Sequence, residues 1–166
     1  HFNKHWSVEV TNCEVLYMVA CISKGLVVEI GSHYGRSTAC LAMGVEEANT
    51  GSNVIAIDCW EHKPQMYPEF IANMEKANLS EIVLPIRGRS HDVFLNRAQY
   101  PILSIPINIL FIDGDHHYDG IKADLEWIDL VEVGGLVIFH DYGNKDWPDV
   151  KKAVDEYLAE HDDLSP

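Results

Sequence analysis

Two short stretches concentrate residues that can do chemistry. The first is Phe111-Ile112-Asp113-Gly114-Asp115-His116-His117-Tyr118-Asp119, and the second, one unit later, is Phe139-His140-Asp141-Tyr142. Each follows an apolar run of strand type, so Asp113, His140 and Asp141 should meet on one rim if those strands are neighbours. Two carboxylates and an imidazole can ligate a divalent cation. Oxygen ligands favour magnesium or calcium, and the imidazole tilts the set toward manganese, iron or zinc.

A third stretch, Val28-Glu29-Ile30-Gly31-Ser32-His33-Tyr34-Gly35-Arg36-Ser37-Thr38, runs from an apolar segment through a glycine turn into a helix start. Glycine lets a ligand approach the backbone, and the helix start offers free N–H donors. The G-x-x-x-G spacing meets neither the dinucleotide fingerprint nor the P-loop pattern. Asp58 follows Gly31 by 27 residues and ends the next apolar run. A carboxylate there can accept hydrogen bonds from two ribose hydroxyls, so turn and acid together suggest a nucleoside-bearing ligand.

The elements that must position these residues are legible as alternating periods. Leu26–Ile30, Val54–Ile57, Ile82–Ile86, Ile107–Ile112 and Leu136–Phe139 read as parallel strands buried on both faces. Pro85 suits the third to an edge. Between them lie helical segments: Ser37–Ala48, Pro68–Asn78, one capped by Asp119 that runs through Val131 to a stop at Gly134-Gly135, and one starting at Pro148. Val15, Leu16, Val19 and Ile22 predict the inner face of a lead-in helix closed by Gly25. Alternation of this kind gives one α/β domain over residues 1–166, with a lead-in region at 1–25 and a βα core at 26–160. Its sheet is doubly wound, with five parallel strands and helices on both faces, and ligands belong at the carboxyl ends of the strands.

Composition narrows the rest. The chain has 166 residues, 47% hydrophobic and 23% charged, and a net charge of -14. That excess of acid argues against nucleic acid and anionic membrane surfaces as partners. The sequence contains no transmembrane stretch. Cys13, Cys21, Cys40 and Cys59 form no C-x-x-C pair and read as reduced core residues of a cytoplasmic protein. The start at His1 reads as a processed or excised fragment. The segment Trp60–Tyr67 reads either as a lid over the site or as a surface connection.

In combination, VEIGSHYGRST and FIDGDHHYDGIKADLEWIDLVEVGGLVIFHDY resemble class I S-adenosylmethionine-dependent methyltransferases over about Val15 to Leu158. The likeness is greatest to the metal-dependent small-molecule O-methyltransferases: the catechol and caffeoyl-CoA types, and the macrolide-sugar, rhamnosyl and cephalosporin hydroxylase-like group. The resemblance implies a Rossmann-like fold, S-adenosylmethionine as methyl donor, and a small-molecule hydroxyl acceptor such as a sugar, catechol or other diol. It places Glu29 and Gly31 on the methionine part of the cofactor, Ser37 on its carboxylate, Asp58 on its ribose and Ser90 near its adenine, with Ser32 and Gly35 also in the cofactor-binding set. Asp113 joins the cofactor and catalytic sets. Asp113, His140 and Asp141 fall on the metal ligands. Magnesium is the implied ion, with manganese or another metal admitted because His140 stands where an acid is usual. His116 falls on a catalytic lysine position, where an imidazole can take a proton at neutral pH, and His117 competes for that role. Two other readings use the same residues: a non-catalytic cofactor-binding or interaction domain, and a metal-dependent hydrolase or hydroxylase. The family sheet usually ends in a further strand pair that this chain lacks, so Leu136–Phe139 would be a bare edge, and either a homodimer or higher oligomer or another chain segment over that edge is expected.

Overall fold

A computed structural model of the chain describes residues 10–161. Five strands form one fully parallel sheet: β1 (Leu26–Ile30), β2 (Val54–Asp58), β3 (Val83–Arg87), β4 (Ile107–Ile112) and β5 (Val131–Phe139), in the order β3-β2-β1-β4-β5. Six helices connect or flank them: α1 (Val10–Ala20), α2 (Arg36–Ala48), α3 (Met66–Lys76), α4 (Ser90–Leu95), α5 (Tyr118–Leu125) and α6 (Pro148–Glu160). The expected doubly wound architecture is present.

Side chains alternate across a strand, so each central strand feeds two cores. Val54, Ala56, Ile109 and Phe111 pack with Leu16, Leu41, Val45, Phe70 and Met74, from α1, α2 and α3. Ile55, Ile57, Leu110 and Ile112 pack on the other face with Ile121, Leu125, Val150 and Val154, from α5 and α6. Pro85 sits in β3, an edge strand as its missing donor requires. β1 and β4 are neighbours at the reversal in strand order, and the crevice lies beyond their carboxyl ends.

Five expectations need correction. The predicted helix through Val131 ends at Leu125; a 3-10 turn follows at Glu126–Leu130, and Val131 opens β5. Val131 pairs with Ile107 but Leu136 with Ile109, so the intervening residues bulge from the ladder. Gly134 takes φ 84° there, and a Cβ on Gly135 would lie 2.7 Å from Val131 Cγ1. The glycine pair therefore makes a strand bulge, not a helix stop. Asp119 lies inside the first turn of α5, whose N-cap is His117. On α1 the buried face is Leu16 and Ala20, while Val15 is exposed, as is Ile22 beyond the helix end. The four cysteines are free, as expected, but half-buried rather than core.

Candidate functional site

The glycine turn is built by close approach of β1 to β4. Gly31 (φ 91°) donates its N–H to Ile57 O at 2.9 Å, and a Cβ there would lie 1.9 Å from the Asp113 carbonyl oxygen. Only glycine fits. Gly35 (φ 87°) caps α2 and abuts Met74 and Phe70 in the same way. Beneath the turn, Glu29 is fully buried and accepts a hydrogen bond from the Thr38 hydroxyl. Burial pushes its carboxyl up to about 7, against the pull of the Ser37, Thr38 and Ser32 hydroxyls. Glu29 Oε1 and Ser32 Oγ are buried and have no partner. Unpartnered buried polar atoms are costly, and their position at a strand-end crevice fits a polar ligand group.

Asp58 is anchored on both oxygens. Oδ2 accepts the His33 N–H at 2.8 Å and Oδ1 the Trp60 N–H at 2.6 Å, leaving lone pairs on each oxygen for a ligand. Trp60 is buried and donates its indole N–H to His33 O at 2.6 Å. The segment after β2 is thus pinned at Trp60, while residues 61–65 are exposed. Ser90 opens α4 and donates its hydroxyl to Asp124 Oδ1 on α5.

At the ends of β4 and β5, Asp113, His116, His140 and Asp141 each present a ligand atom, all within 4.8 Å of one another. His140 Nδ1 lies 2.9 Å from Asp141 Oδ2 and 3.3 Å from Asp113 Oδ1. His116 Nε2 lies 2.9 Å from Asp141 Oδ2 and 3.7 Å from Asp113 Oδ1. The Asp113 carboxylate, with help from Asp141, raises the His140 imidazole to about 9 against the opposing effect of its burial. Burial would raise Asp141, but Asn144, His140 and His116 hold it below the usual carboxylate range. Two carboxylates and two imidazoles at this spacing suit a divalent transition ion or magnesium.

The structure therefore brings the three expected ligands together and places His116 beside them. His117 does not join; it pairs with Asp115 at 2.7 Å, exposed to solvent. Glu29, Gly31, Ser32, Gly35 and Ser37 lie at the adjoining turn. Sequence reasoning missed four residues. Asn12 on α1 reaches to 3.3 Å from His140 Nε2, and Asn144 donates to Asp141 Oδ1 at 2.7 Å. Trp147 packs its ring 4.7 Å from that of His116. Asp124 is the fourth. Only Asn144, three residues past Asp141, carried a signal, as a local side-chain turn.

Residues 28–142 match a family model described as a methyltransferase domain. The chain belongs to that methyltransferase family. It is 28% identical over 129 residues to the uncharacterised protein y4gI of Sinorhizobium fredii, covering 76% of this chain and 14% of that one. The chain thus spans only a small part of that curated relative. Its fold is that of an O-methyltransferase from Bacillus cereus in complex with SAH (TM-score 0.73, 23% identity, 96% of this chain and 73% of the other). It is also that of CalS11, a TDP-rhamnose 3'-O-methyltransferase of calicheamicin biosynthesis (TM-score 0.70, 21% identity, 94% and 72%). Among the described residues of this methyltransferase domain, no helix is long and apolar enough to cross a membrane.

Proposed function

We propose that this chain moves the methyl group of S-adenosylmethionine to a hydroxyl of a small diol, such as a sugar or catechol, with help from a divalent cation. The observation that carries the reading is the convergence of Asp113, His116, His140 and Asp141 beside the glycine turn. Glu29 and Ser32 would take the cofactor's amino-acid end, with Gly31, Gly35 and Ser37 shaping the turn around it; Asp58 would take the ribose and Ser90 the adenine side. Asp113, His140 and Asp141 would hold the cation, magnesium or manganese. When bound, it lowers the pKa of a chelated hydroxyl. His116 takes the hydroxyl proton; the oxygen forms its bond to the methyl carbon as the carbon–sulfur bond breaks, leaving the neutral thioether. The protein's main task is alignment of oxygen, carbon and sulfur.

Asn144 bonds Asp141 and also lines, with Lys145, Pro148, Lys151 and Lys152, an open cavity of about 330 Å³ that leaves room for an acceptor. The net charge of -14 favours a cationic cofactor over nucleic acid or anionic lipid. Free cysteines suit the cytoplasm.

The test is transfer of labelled methyl from S-adenosylmethionine to a panel of catechols and sugar diols, before and after exhaustive chelation. Loss on chelation and recovery with magnesium or manganese is expected. Full activity without metal would overturn the cation's role. Cofactor binding with no transfer to any acceptor would favour a non-catalytic domain.

A further inference from the structure

The buried carboxylate of Asp124 has no part in the reading above. It is 2% exposed and lies on α5. Its Oδ1 accepts the Ser90 hydroxyl, and its Oδ2 has no partner. A Cβ on Gly114 would lie 2.4 Å from that Oδ2 and 3.0 Å from Ile30 Cγ2, so Gly114 is the thin cover over Asp124 at the rim. Ser90 itself is half-buried. Its turn is tied to the rim, because Gly88 N–H donates to Asp58 O at 2.9 Å. Ser90 and Asp124 thus link the Asp58 side of the crevice to the Asp113-Gly114 side.

A serine hydroxyl has one proton and two acceptor lone pairs. An ionised carboxylate only accepts. With its one proton committed to Asp124, Ser90 can offer the crevice nothing but lone pairs. We infer that Asp124 fixes Ser90 as an acceptor and so makes the site select a purine bearing an exocyclic amine over one bearing a carbonyl at that place. This rests on the cofactor reading above. Adenine donates from its amine to the Ser90 oxygen; hypoxanthine would bring a second acceptor and leave both unpaired. Burial raises Asp124 to about 6, with the Ser90 hydroxyl pulling the other way, so at pH 8 the carboxylate is ionised. Asp124 is a positioning residue in this scheme and does not touch the reacting atoms.

Calorimetric titration at pH 8 compares S-adenosylhomocysteine with its deaminated counterpart, S-inosylhomocysteine. Wild type should prefer the adenine form by about tenfold or more, the worth of one hydrogen bond plus the penalty of an unpaired group. In Asp124→Asn the amide can donate to Ser90 and free its proton, so the preference should fall toward unity. Ser90→Ala should lose it as well, and serves if Asp124→Asn melts at lower temperature than the assay allows. A ratio does not move when a variant only loosens the fold. Equal binding of both ligands by wild type, or an unchanged ratio in a folded Asp124→Asn, would overturn the inference. No binding of S-adenosylhomocysteine by wild type would instead overturn the cofactor reading, and this assignment with it.

Discussion

At the scale of single residues, Glu29 carries a stability cost that serves the site. Its carboxyl, held near 7 by burial, is protonated in the fold over a pH range in which the unfolded chain has lost the proton. Folding therefore binds a proton between the ordinary glutamate value and 7, and stability falls as pH rises through that window. Glu29→Gln keeps the shape and removes the charge. Thr38 can donate to the new carbonyl, and the amide N–H groups can meet the unpartnered Ser32 oxygen. The variant should be more stable than wild type at pH 8, by on the order of 3 kcal/mol at most, and nearly equal at pH 4. Urea denaturation at both pH values checks the sign. His116 and Asp141 make a second pair of tests. Asp141→Asn should abolish manganese binding in calorimetry. His116→Gln should leave that binding within a few-fold, yet slow methyl transfer by roughly 100-fold or more, the usual range for a general base. If His116→Gln loses the metal as well, His116 is a ligand and not the base.

At the scale of elements, α1 and β5 show where sequence pattern stops being informative. The buried strands were legible because β1, β2 and β4 are apolar on both faces, and the rim residues followed, since a strand's end fixes where the next residue sits. The α5–β5 boundary was not legible. Trp127, Ile128, Leu130 and Val131 continue the helical spacing, and Gly134-Gly135 then looks like a helix terminator. Pairing of Val131 with Ile107 and the bulge behind it are tertiary facts. Asn12 was hidden for the same reason: nothing local says that α1 lies across the end of β5. What seats α1 is the approach of its backbone to Gly44 on α2. A Cβ at Gly44 would lie 2.5 Å from Tyr17 O and 2.6 Å from Ala20 Cβ. Gly44 is helical, so alanine itself should favour the helix by a little under 1 kcal/mol. Overpacking at this contact should outweigh that gain, costing about 1–3 kcal/mol. Gly44→Ala should thus lower the urea midpoint. Because α1 bears Asn12, it should also weaken the restraint on His140, visible as a change in the ring's NMR tautomer signals.

At the scale of the whole molecule, two features oppose one another. Among the described residues nothing pairs with the outer edge of β5, and its Val133 and Leu136 are exposed. An unpaired edge with apolar side chains is a template for a second copy of the same chain, joined across a two-fold axis. The net charge of -14 on each copy resists that contact over distances of about a Debye length. Salt should decide the balance: at about 10 mM the charges are poorly screened, and at 0.5 M they are confined to a few ångströms. Self-association of this chain should therefore increase with ionic strength, the reverse of an interface held by ion pairs. Light scattering at matched protein concentration in low and high salt checks this. Leu136→Lys, which puts a charge on the edge without touching the rim, should keep the chain monomeric in both. A monomer at every salt concentration in wild type would refute the dimer and leave the β5 edge protected by its bulge, since Glu132–Gly135 already turns the first half of the strand away from a straight ladder.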